Sequence, residues 1–82
     1  MNLDKYIESG MLARKETMTE ILDEFGEELT TEMLEASAAP NIPFHSVDEY
    51  SGFLICLGGY HALKLLKIAI ENGQKEEEEL PT

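Results

Sequence analysis

The chain has 82 residues, seventeen acidic against six basic, and a formal net charge of −11 at pH 7. That length allows one domain, with a core near the margin unless a metal, a disulfide or a partner assists it. The acid excess argues against phosphate backbones and anionic lipid, which need neutralising cations, and favours basic protein partners. Neither direct nucleic-acid binding nor membrane binding is expected. One cysteine, Cys56, excludes an internal disulfide, and its apolar surroundings suit a buried thiol in a reducing compartment. The opening MNLDKYIESG lacks a basic stretch followed by an apolar core. Lys64 and Lys67 interrupt the apolar run that starts at Gly52, so no uncharged stretch of about 18 residues is present. The expectation is a soluble, cytoplasmic chain.

The first segment predicts a helix from about Leu3 to Phe25, with Asn2 as its cap and Asp4 favourable in the first turn. Leu3, Ile7, Met11, Met18, Ile21, Leu22 and Phe25 fall in an arc about 100° wide, the stripe of an amphipathic helix. Gly26 can end it. Arg14 lies within this stripe, so its stem should pack while its head reaches an acid such as Glu24 or Glu28.

Thr30 or Thr31 can cap a short helix from Glu32 to Ser37. Pro40 and Pro43 then bracket a loop, AAPNIPFHS, in which Ile42 to Val47 could at most form a short edge strand. Ser46-Val47-Asp48-Glu49 has the capping-box spacing, serine followed three residues later by glutamate. The helix it opens should run to about Glu71 and stop at Asn72-Gly73. Residues 1–72 then form one helical domain, and residues 73–82, with four consecutive glutamates, form an acidic tail, frayed or flexible. Gly58-Gly59 marks either a kink or a close backbone approach.

On a wheel of the third helix, Glu49, Tyr60, Lys64, Lys67 and Glu71 gather in a narrow arc, expected to be the solvated side with Lys67 and Glu71 paired. Apolar residues occupy well over half of the remaining circle, more than the ~100° stripe a surface helix needs. No acid occurs between Tyr50 and Ile70. Two shorter neighbours cannot enclose such a helix. The expected fold is therefore all-α, a small bundle or hairpin of two long helices and one short, completed by oligomerisation. Tyr50, Leu54, Leu57, Gly58, Gly59, Ala62, Leu65, Leu66 and Ala69 are the candidate self-association residues.

Residues 27–49 hold six acids and no base: Glu27, Glu28, Glu32, Glu35, Asp48 and Glu49. Carboxylates at helical spacing can imitate a row of phosphates and dock on a basic protein surface. The alternative ligand is a small anion, such as a nucleotide, held by Arg14 with Tyr60, Lys64 and Lys67. A purely structural assembly subunit is a third reading. His45, Cys56 and His61 show no metal-ligand spacing, and Cys56 and His61 diverge by about 140° on a helix, so no nucleophile–base pair is expected. Neither a metal nor a cofactor is expected. The sequence thus points away from an enzyme, towards a small acidic inhibitor or adaptor that self-associates and meets a basic, possibly nucleic-acid-binding, partner.

Overall fold

Asn2 is extended and its side chain accepts the backbone N–H of Lys5 at 3.3 Å, so the chain enters α1 (Leu3–Asp23) with one of its free amides satisfied. In this computed structural model residues 2–79 are described, with side chains described for 2–73. The helix closes in a Schellman arrangement. Glu27 N–H donates to Leu22 O at 3.0 Å and Gly26 N–H to Asp23 O at 3.1 Å, with Gly26 at φ 69°, where a side chain would be strained. This turn ends α1 ahead of Phe25. The Phe25 ring is thereby released to stack on His45, 4.7 Å between centroids, and to meet Phe44 edge-on.

Thr30 caps α2 (Thr31–Ala36), its hydroxyl accepting from Met33 N–H at 3.2 Å. The helix starts one residue ahead of expectation and ends at Ser37, which turns left-handed at φ 51°. The proline loop is built from tight turns, Ile42 N–H to Pro40 O and Phe44 N–H to Ile42 O, and the described residues contain no strand. Ser46 then opens α3 (Val47–Glu79), its hydroxyl accepting from Glu49 N–H at 3.1 Å. Half of the expected capping box is displaced by one residue: the Glu49 carboxylate accepts from His45 N–H at 2.9 Å, not from Ser46.

The stop expected at Asn72-Gly73 does not occur, and α3 continues to Glu79. Ending a helix at glycine needs a left-handed φ, which among the described glycines only Gly26 adopts. The following Gln-Lys-Glu run consists of strong helix formers, which offset the ~1 kcal/mol that one glycine costs. The part of the expected acidic tail up to Glu79 is thus helical, and residues 80–82 lie outside the described residues.

α1 and α3 run antiparallel. Glu8 meets Lys67, Gly10 lies under Leu63, Arg14 under Gly59, and Glu24 beside His45 and Glu49. α2 lies against α3. Met18, Leu22, Leu34, Phe53 and Leu57 form the core, with Ile21, Leu29, Met33, Ile42, Phe44 and Tyr60 packed around it. The core therefore occupies the end of the pair where α1 finishes and α3 begins. The all-α class agrees with the sequence.

The rotation of α3 does not agree with it. Of the arc expected in solvent, Glu49, Tyr60, Lys64 and Lys67 face α1 and are half-buried around the buried Phe53, and Glu71 alone is exposed. Phe53 and Leu57 make the burial favourable, and lysine stems can cover apolar surface while their charged ends reach out. Lys67 Nζ accordingly donates to Glu8 Oε1 at 3.1 Å, a link between α1 and α3 in place of the expected pairing with Glu71. Most of the broad apolar arc is left on the outside, except Leu57 in the core and Leu63, which packs over Gly10.

Candidate functional site

The outward face of α3 is the most unusual surface of the molecule. Val47 is 80% exposed, Ile55 73% and Leu65 54%, with Tyr50, Leu54, Leu66 and Ile68 also exposed. Gly58, Ala62 and Ala69 lie among them. Scattered exposed apolar residues are ordinary, but a continuous band along one helix marks a surface that meets something else. The centre of the band, Val47, Ser51, Leu54, Gly58, His61, Leu65, Ile68 and Asn72, is spaced alternately by four and three residues, the a/d repeat of a helix–helix seam. One atom in this seam is unsatisfied. His61 Nδ1 is buried and has no hydrogen-bond partner among the described residues, a state that costs about 1–3 kcal/mol.

Of the candidate self-association residues, Tyr50, Leu54, Gly58, Ala62, Leu65, Leu66 and Ala69 belong to this outward band. Leu57 and Gly59 do not. Leu57 is 1% exposed in the core, and a Cβ on Gly59 would stand 2.5 Å from Arg14 Nε. The glycine pair thus divides between two roles within a continuous helix: Gly59 makes room for Arg14, whereas nothing lies within 4 Å of the place a Gly58 Cβ would take. Gly58→Ala should raise the stability of the dilute chain by roughly 1 kcal/mol, since alanine removes backbone entropy at an open helical position. Thermal melts at low concentration check this, with a gain of ~4–8 °C expected. Gly59→Ala must first displace Arg14 and should gain less.

The cations proposed for an anion are dispersed by their own contacts. The Arg14 guanidinium donates to Gly10 O at 3.0 Å and packs on Gly59 instead of reaching Glu24 or Glu28. Lys67 is engaged by Glu8, whose hydrogen bond and negative charge raise its pKa above the ordinary lysine value. Tyr60 packs against the core, and Lys64 is half-buried beside it on the inward face. These four residues do not converge on one free donor set.

The acidic residues sit at the opposite, well-packed end. Glu27 and Glu28 follow the Gly26 turn, Glu32 and Glu35 lie on α2, and Asp48 opens α3; all five are exposed. Glu49 differs from them. Its side chain is 18% exposed and committed to His45, and the bond from the His45 backbone amide holds its carboxyl below the usual pKa. His45 Nδ1 stands 3.3 Å from Glu49 Oε2 and 3.3 Å from Glu24 Oε2. Sequence spacing could not foresee this cluster, because Glu24 enters it from the far side of α2 and the proline loop. Comparison with protein-family models, with curated proteins and with solved structures finds no match.

Proposed function

We propose that this protein is a non-catalytic interaction module that associates with itself through the outward face of α3 and offers its acidic end to a basic protein surface. The observation that carries the reading is the exposed apolar band on α3 in a chain of net charge −11. A helix apolar on its outer side is stable in water when another helix covers it. The seam has no acid between Tyr50 and Ile70, so two such chains can approach there despite their charge.

A bilayer would be another cover, since Val47–Gly73 has the length and, at a mean hydropathy of 1.6, the apolarity of a membrane span. The packing of α1 favours the protein partner. A spanning α3 would draw Glu8, Arg14 and the rest of a charged helix into hydrocarbon, where charges are costly. Five exposed carboxylates with no base among residues 27–49 give the other end its affinity for cationic surfaces. The engagement of Arg14 and Lys67 elsewhere weakens the small-anion reading.

Sedimentation equilibrium over a range of concentrations tests the first half: reversible association is expected, and a chain that stays monomeric at high micromolar concentration removes it. Uptake into neutral vesicles would assign the band to lipid instead. For the second half, binding to a basic protein is compared at about 50 and about 300 mM salt, over which screening shortens markedly. Affinity should fall with salt, and also on neutralising Glu27, Glu28, Glu32 and Glu35. Indifference to both changes would remove the acidic-surface role.

A further inference from the structure

We propose that Glu24, His45 and Glu49 form a divalent-cation site whose ligand set suits zinc. The three residues come from three segments, the turn after α1, the proline loop and the first turn of α3, and their donor atoms all lie within 4.8 Å of one another. An ion bound tetrahedrally at about 2.1 Å sets its ligands roughly 3.4 Å apart. Both carboxylate oxygens stand 3.3 Å from His45 Nδ1. Those two separations match two edges of such a tetrahedron, and the carboxylate oxygens lie within 4.8 Å of each other.

The supporting contacts orient each ligand. The His45 ring is stacked on Phe25 at 4.7 Å and 29° between planes, which fixes the direction of Nδ1. Glu49 Oε1 is occupied by His45 N–H at 2.9 Å, so Oε2 is the atom left for a metal, and ligating carboxylates are commonly held through their other oxygen in this way. Two carboxylates and a neutral imidazole balance the charge of a divalent ion. One nitrogen with only two carboxylates favours zinc over calcium, which takes six to eight oxygens. A fourth position remains for water. The bound ion would pin the end of α1 to the start of α3, directly over the aromatic cluster of the core.

The full chain, stripped with a chelator, is titrated with zinc by calorimetry, and with cobalt while the visible spectrum is followed. One equivalent per chain, a rise in melting temperature and the intense absorption of tetrahedral cobalt are expected. His45→Ala and Glu24→Gln should each weaken zinc binding by more than about tenfold, since even supporting residues of metal sites are worth that much. Glu24 is exposed, so its variant tests the site even if His45→Ala folds poorly; Cys56→Ala should keep the site intact. Failure to bind zinc saturably, or stoichiometric binding that survives Glu24→Gln and His45→Ala, overturns the proposal. Calcium binding as tightly as zinc overturns the choice of ion.

Discussion

Leu65→Glu should leave the folded chain nearly as stable as before and reduce its self-association by about a thousandfold. The two effects separate because Leu65 is 54% exposed on α3 and takes no part in the core, and surface substitutions usually stay within about 0.5 kcal/mol. In a two-fold interface, however, the same substitution occurs twice. It introduces an acid into a seam that has none and removes an apolar contact from each copy. A loss of about 2 kcal/mol at each is ordinary for a central interface residue. The total of ~4 kcal/mol corresponds to nearly three decades in dissociation constant. Sedimentation of the wild-type chain and the variant measures this directly. Leu12→Glu is the comparison, since Leu12 is about as exposed but lies on α1. If Leu12→Glu weakens association and Leu65→Glu does not, an interface on α1 replaces the proposed one on α3.

The sequence was most informative where local chemistry decides the outcome. Asn2, Gly26, Thr30 and Ser46 each act at the helix end that their side chain, or lack of one, suits. The lone glycine at 73 misled because termination depends on its φ, which sequence does not set, and because the residues after it favour helix. The rotation of α3 was the larger gap. Its wheel has one polar arc and a wide apolar one, and burying the apolar arc is the default expectation. Phe53 contradicts that default, since it sits in the middle of the polar arc, between Glu49, Tyr60 and Lys64 in projection. The core forms around this ring and Leu57, and the lysines beside them extend outward past α1. An internal core of modest size and an outward apolar band are thus two parts of one arrangement. The Glu24–His45–Glu49 cluster was illegible for a different reason: it depends on the antiparallel return of α3, a tertiary fact.

Phe53→Ala is the substitution with the largest expected effect on folding, and it tests that rotation. The ring is fully buried, among Met18, Leu22, Leu34 and Leu57, with Phe44 at 5.6 Å between centroids. Truncating a buried phenylalanine costs about 3–5 kcal/mol, the lost transfer energy plus the cavity left behind. Domains of this size have roughly 4–12 kcal/mol in all, so the variant should be largely unfolded near physiological temperature or melt more than ~15 °C lower. Ile55→Ala removes a comparable apolar group from a side chain 73% exposed and should cost the isolated chain about 0.5 kcal/mol or less. Association would blur this contrast, because a dimer's stability depends on its concentration. Both substitutions are therefore made in the Leu65→Glu background and compared by urea unfolding. With the apolar arc packed inward, Ile55→Ala would be the damaging change and Phe53→Ala the mild one; with α3 rotated as described here, the order is reversed, and the gap between them is several kcal/mol.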